Sequence, residues 1–359
     1  MRTWRSEFAG GFGSRTPLVL AVAALATVAV LVGLQFFVAD RAFTVIPEER
    51  LLRIRNDDHV HLSYRVAQLK KHPPTAHVVY LFGGSGTMEL MRSEESLSAA
   101  VSAAAGERVE AVSLAGHAQS MGQTLAIVDN LPRGPGVLAV GVSPNRLTES
   151  PQSDAGQIVG KPLALTSPHL AALLAGRAKV SHSLPGLLPG ILDFTLSYLK
   201  SRASLSKLWL TSIPRSNHYY EDGESAPMTL RIVGSKEEVG REQGLYTKYA
   251  AYNLDALSEI IRLGRQRGYT VVLFEQPLAP EARGPAWSAL LARYHADLGR
   301  VVRQQDVPYI DVQPRAGLQT DDFADLFHLV GVGRDKWTAV FAPRLAHALQ
   351  MSPGLAQRQ

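Results

Sequence analysis

Between Thr16 and Ala39 the chain reads TPLVLAVAALATVAVLVGLQFFVA, 24 residues without a charge. About 20 apolar residues suffice to cross the hydrocarbon of a bilayer, and buried helices of soluble proteins seldom go so long without a charged side chain. The run predicts one transmembrane helix over residues 16–39. Arg2, Arg5 and Arg15 precede it against a single acid, Glu7. Under the positive-inside tendency, residues 1–15 are then a cytoplasmic tail and everything after the helix lies outside the cytoplasm. A cleaved signal peptide is the competing reading. Its apolar core would span about 7–15 residues and end in small residues. Here the run is longer and ends Phe36-Phe37-Val38-Ala39-Asp40. The expectation is a signal anchor: a single-pass protein of the inner membrane with a periplasmic C-terminal domain.

The remainder of the 359 residues is long enough for one large core or two modest ones, and 46% of the chain is hydrophobic against 19% charged. The net charge of +5 is spread out, without a run of Lys and Arg interleaved with aromatics, so no nucleic-acid partner is expected. Cysteine is absent, which removes thiolate metal sites, a cysteine nucleophile and disulfides. The histidines show no H-x-x-x-H spacing, and neither a metal nor a cofactor is expected.

Residues 40–75 form a charged, membrane-proximal stretch ending at His72-Pro73-Pro74. Beyond it short apolar runs alternate with helical segments. His77–Phe82 reads as a strand running into Gly83-Gly84-Ser85-Gly86, followed by a helix over 87–105. A strand over Val109–Leu114 stops at Ala115-Gly116, a helix covers Ser120–Leu131, and a strand over Val137–Val142 ends at Ser143-Pro144-Asn145. The rhythm resumes with a helix over Tyr249–Arg267, a strand over 270–274, a helix over Pro285–Gln305, a strand over Val307–Val312 and a last helix over Gly331–Gln350. This alternation predicts an α/β domain over 76–350, with a parallel sheet of about five strands between two helical layers and a short tail over 351–359. The interval 150–246 breaks the pattern. Its apolar patches at Leu163–Leu174 and Leu187–Leu210, and its polar segment Asn217–Asp222, read as a helical insertion that caps the sheet.

Ligands of open α/β sheets bind beyond the carboxyl ends of the strands. Ser85 follows the first strand, Gly116 the second and Asn145 the third, and Asp325-Leu326-Phe327-His328 precedes the last helix. A serine hydroxyl is a poor nucleophile unless a base takes its proton, and His328 can be that base. Asp325, three residues earlier, can fix the imidazole tautomer. Backbone N–H groups of Ser85 and Gly116 and the Asn145 amide are candidate donors to an oxyanion. Asp321 and Asp322 compete with Asp325 for the acidic role, and His117 beside Gly116 reads as structural.

This ordered set resembles the SGNH (GDSL-type) hydrolase family over roughly residues 76–350. The stretch Asp321–Gly333, with Ile310-Asp311 before it, is the most similar part. The resemblance implies a flavodoxin-like three-layer α/β/α fold and a serine esterase or O-acyl (acetyl) transferase. Its catalytic residues would be Ser85, Asp325 and His328, and its oxyanion donors Ser85, Gly116 and Asn145. The chain departs from the pattern in two places. Gly83-Gly84-Ser85 stands where Gly-Asp-Ser is usual. Gly141-Val142-Ser143-Pro144-Asn145 is two residues longer than Gly-x-Asn, so Ser143 is the alternative to Asn145. An anchored domain of this kind is similar to proteins that accompany membrane-bound O-acyltransferases in polysaccharide acetylation. The implied partners are an acylated carbohydrate or other ester, a membrane-bound O-acyltransferase, and the membrane itself.

Two other classes compete. A nucleotide site on Gly83-Gly84-Ser85-Gly86-Thr87 lacks both the Gly-Lys-Ser/Thr of a Walker loop and the G-x-G-x-x-G fingerprint. An α/β-hydrolase elbow would need glycine where Thr87 stands. A non-catalytic module of the same fold, binding an acylated glycan or a membrane acyltransferase, is the alternative function.

Overall fold

The computed structural model describes residues 17–30, 58–159, 165, 167–179 and 235–351. The chain divides into two units, Met1–Leu51 with Ser183–Thr211, and Leu52–His182 with Ser212–Gln359. Of the first unit, residues 17–30 are described: they are helical, with Leu18, Val22, Leu25, Val28 and Val30 exposed. Among the described residues no helix is long and apolar enough to cross a membrane. Thr16 and residues 31–39 of the expected span lie outside the described residues, as do Leu187–Leu210 and Asn217–Asp222.

The second unit is an α/β domain around a five-stranded parallel sheet in the order β2-β1-β3-β4-β5. The strands are β1 (His77–Phe82), β2 (Val109–Ser113), β3 (Val137–Val142), β4 (Thr270–Glu275) and β5 (Tyr309–Ile310). β3 is buried throughout and β1 and β4 at all but their first residue, so they read as continuous apolar runs rather than alternating ones. The edges are weaker. Glu110 of β2 faces water, and β5 is only two residues long where the sequence predicts six. Pro308 is the physical reason: it has no N–H to give to the ladder, although its carbonyl still accepts from Leu273 N.

The helices that matter for the site are α1 (Asp58–Lys71), α2 (Ser85–Met88), α3 (Glu94–Ala105), α4 (Met121–Asn130), α5 (Pro151–Val159), α6 (Pro168–Leu174), α7 (Ser235–Gln266), α8 (Ser288–Gln305), α9 (Gln313–Ala316) and α10 (Gly331–Gln350). The β1–β2 crossover runs one way along the sheet and the later crossovers run the other. Right-handed connections therefore send α3 to one face and α4, α7 and α8 to the other. α10 packs on α3, and α7 on α4. Strand order reverses between β1 and β3, the arrangement of flavodoxin-like doubly wound sheets.

Three differences from the sequence reading have local causes. The helix expected over 87–105 is two pieces, because Ser93 and Ser96 form a reciprocal capping box that starts α3 at Glu94. α1 lies in the stretch read as membrane-proximal, yet Leu62 and Val66 belong to the core of the domain. α7 begins well before Tyr249, inside the interval read as an insertion. Val239, Tyr246, Asn253 and Ile260 recur every seven residues and are all buried, a stripe that the surrounding charged residues hide in a sequence window.

Candidate active site

β1 ends at Phe82, and the chain turns through Gly83 and Gly84 into α2, whose first residue is Ser85. Gly83 is required by close approach: a Cβ there would lie 1.8 Å from Thr87 Oγ1. The turn lifts the Ser85 side chain past the end of the sheet. As the first helical residue, Ser85 has an N–H without an intrahelical acceptor.

The partners come from the loop between α9 and α10. Phe323 and Leu329 form an antiparallel bridge, Ala324 N donates to His328 O at 2.7 Å, and Val330 N donates to Asp322 O at 2.9 Å. Within this loop Asp325 Oδ1 accepts from the N–H groups of Phe327 (2.9 Å) and His328 (3.0 Å), which locks the carboxylate. Both Asp325 oxygens lie 2.7 Å from His328 Nδ1. Nδ1 therefore carries the proton and donates it, leaving Nε2 as acceptor. Ser85 Oγ stands 2.8 Å from that Nε2. The side chains of His328 and Asp325 are 17% and 23% exposed, shielded but reachable. The competing acids have other positions. Asp322 is buried, takes Lys336 Nζ at 2.8 Å and caps the Gln319 N–H, while Asp321 faces solvent.

Ser85 and His328 line a cleft of about 170 Å³ at the carboxyl ends of the strands, over the point where strand order reverses. All five strand ends contribute to it. Gly84, Ser85 and Gly86 follow β1, Ala118–Ser120 follow β2, and Ser143, Asn145, Arg146 and Glu149 follow β3. Gln276–Leu278 follow β4, and Phe327 and His328 come from the loop beyond β5. Phe327 stands edge-on to Trp287, with ring centroids 6.2 Å apart, which stiffens an apolar side of the cleft.

Gly116 requires a correction. It is not part of the cleft wall. Its N–H donates to Gly83 O at 3.1 Å, continuing the β1–β2 ladder, and its carbonyl accepts from Gln119 N at 3.2 Å. That turn instead presents Ala118, held at φ 48° in the left-handed region, a strained position for alanine. His117 is likewise not on the cleft wall. Asn145 and Ser143, the alternatives for the third block, are both at the cleft: Asn145 is exposed, whereas Ser143 is buried, its Oγ 2.5 Å from Asn145 Oδ1.

Sequence reasoning missed Thr87, Gln276 and Arg146. Gln276 follows β4 directly, so the strand-end rule would have found it had it been applied to every strand. Arg146 is fully buried. It donates to the Gln119, Ser120 and Gly141 carbonyls and to Thr124 Oγ1. These bonds tie the loop after β2 to the end of β3. Burial lowers its pKa to about 10, so it stays cationic at neutral pH, beneath the cleft. Beside it Asp154 accepts from Ser120 Oγ and, at 2.6 Å, from Tyr252 OH, and burial raises its pKa to about 6.

Among the described residues no group of three or more His, Asp or Glu side chains could hold a metal ion. No family model matches the chain, and no curated protein is significantly similar to it.

Proposed function

We propose that the chain is a membrane-anchored, extracytoplasmic serine esterase or O-acyl transferase of the SGNH (GDSL-type) kind. The observation that carries the reading is the continuous hydrogen-bonded line Asp325–His328–Ser85 opening on a cleft. Ser85 Oγ attacks the acyl carbonyl carbon while its proton passes to His328 Nε2. Asp325 stabilises the imidazolium that results. The tetrahedral oxyanion is met by the Ser85 N–H and the Asn145 side chain, with the Arg146 charge beneath. As the carbonyl re-forms, the C–O bond to the leaving alcohol breaks, and that alcohol takes the proton from His328. The acyl group is left on Ser85. Water or a sugar hydroxyl then attacks in its turn, with His328 again as base, giving hydrolysis or transfer.

The cleft is small beside pockets for drug-sized ligands, which start near 300 Å³, and this supports a short acyl group such as acetyl. The uncharged run 16–39 with its preceding arginines supports an anchor in the inner membrane and a periplasmic domain. That location favours an ester on an exported or cell-envelope polysaccharide as substrate, and a membrane-bound O-acyltransferase as acyl source. The full-length protein is expected to release p-nitrophenolate from p-nitrophenyl acetate and to carry an acetyl group on Ser85 when the reaction is quenched early. Ser85→Ala should abolish both without changing the melting temperature. Undiminished turnover by Ser85→Ala would remove Ser85 as nucleophile, and an inert native protein would favour a module that only binds an acylated glycan or its partner enzyme.

A further inference from the structure

On the esterase reading, Asn145 serves the oxyanion only if its NH2 end, and not its oxygen, faces the cleft. The Gln276 carboxamide lies between two hydroxyls, with Nε2 placed 2.6 Å from Thr87 Oγ1 and Oε1 2.6 Å from Ser143 Oγ. Ser143 Oγ is in turn 2.5 Å from the Asn145 side-chain oxygen. Each hydroxyl has one proton to give, and the two ends of a carboxamide have the same shape. The protons therefore decide which way the chain of bonds runs.

Thr87 decides it. Its side chain is wholly buried, and among the described residues its hydroxyl meets no partner except Gln276. A buried hydroxyl proton without an acceptor is costly, so the Thr87 O–H is satisfied only with the carboxamide turned end for end, its carbonyl toward Thr87 in place of Nε2. The NH2 end of Gln276 then donates to Ser143 Oγ, and the Ser143 proton goes to the Asn145 oxygen. What remains is the Asn145 NH2, on an exposed side chain in the wall of the cleft that holds Ser85 and His328. In the opposite direction Asn145 would show its oxygen to the cleft and repel a developing oxyanion. Two glycines make room for this Thr87 hydroxyl: a Cβ on Gly83 would lie 1.8 Å from Oγ1, and one on Gly141 would lie 2.7 Å from it.

We infer that Thr87, Gln276 and Ser143 form a positioning relay that fixes the Asn145 carboxamide with its N–H toward the oxyanion. None of the three touches the reacting atoms, and all act through Asn145.

The test uses the full-length protein, with p-nitrophenyl acetate turnover, the rate at which a fluorophosphonate labels Ser85, and a melting curve for every variant. Gln276→Glu can only accept, so it would take the Ser143 proton and turn Asn145 round. Its kcat should fall about 10²-fold with KM little changed, the loss typical of one oxyanion donor. Asn145→Ala should lose as much, and the double variant Gln276→Glu/Asn145→Ala should lose no more than either. Thr87→Val should slow both reactions, while Thr87→Ser, which keeps the hydroxyl, should recover most of the rate. Near-native rates in Gln276→Glu and Thr87→Val, or losses that add to that of Asn145→Ala, would overturn the relay while leaving Ser85-dependent labelling intact. A native protein that neither turns over nor labels at Ser85 would overturn the esterase reading and the relay together.

Discussion

Asp325 and His328 are three residues apart, whereas Ser85 lies 243 positions from His328, and the three side chains nevertheless meet at 2.7–2.8 Å. The short separation explains why the acid and the base were legible together: one tight loop must hold both. Asp325 is committed twice, to the imidazole and to two backbone N–H groups. Asp325→Asn keeps the shape but can offer an N–H where a carboxylate oxygen was, which favours the wrong histidine tautomer. We expect kcat on p-nitrophenyl acetate to fall about 10³–10⁴-fold with an unchanged melting temperature. A loss under tenfold would mean that Asp325 holds the loop rather than the imidazole. Gly116 shows the opposite case. A glycine after a strand reads as a close approach to substrate, but its N–H is already given to Gly83 O, a pairing that sequence cannot reveal.

Among the elements, the turn from β1 into α2 is the most constrained. Its strand end, its glycines and its nucleophile are contiguous in sequence, so its place was readable. The cause of Gly83 was not, because the Thr87 hydroxyl it makes room for is held by Gln276, which follows another strand. Gly83→Ala should push Thr87 away from Gln276. Overpacking of this kind costs about 1–3 kcal/mol. The variant should show that loss in urea unfolding together with slower turnover. Native stability would mean that the turn relaxes more readily than the 1.8 Å approach implies. The limits of the other elements met expectation at Ser120, which caps α4, and departed from it at Ser93, whose capping box splits the helix expected over 87–105, and again where packing decided. α7 is the clearest example, since its first half is held by Val239 and Tyr246 against the domain rather than by its own composition.

At the scale of the whole molecule, the sheet order decides where the chemistry sits, and burial beside the sheet decides how stability responds to pH. Glu275, at the end of β4, accepts from Tyr294 OH at 2.9 Å and from Tyr309 OH, and burial raises its pKa from the ordinary 4.5 to about 8. The folded domain thus keeps this proton up to about pH 8, while an unfolded chain loses it near 4.5. Stability must then fall as pH rises between those values, by at most about 1.4 kcal/mol per pH unit for one proton. Asp154 adds the same sense of change between 3.8 and about 6. His295, depressed by burial, works the other way, but only below its ordinary 6.5. The window from about 6.5 to 8 therefore isolates Glu275. Melting temperature should decline across it in the native protein and stay level in Glu275→Gln. An equal decline in the variant would place the responsible proton elsewhere.

The amino-acid sequence by itself determined the class of fold, the order of its strands along the chain, and the identity of the residues at three strand ends and in the last loop. Each of these rests on local chemistry: apolar runs of strand length, glycine turns, and an acid and a base three residues apart. The charge-free run 16–39 belongs to the same level, as an expectation about the membrane. Tertiary structure alone decided which strands are neighbours, that Ser85 lies within hydrogen-bonding distance of His328, that the Gly116 amide is consumed within the sheet, and that Thr87, Gln276 and Ser143 meet. Those outcomes depend on contacts between residues far apart in the chain. In such contacts the free energy comes from burying a shared core and matching each buried donor to an acceptor, and no window of sequence contains both partners.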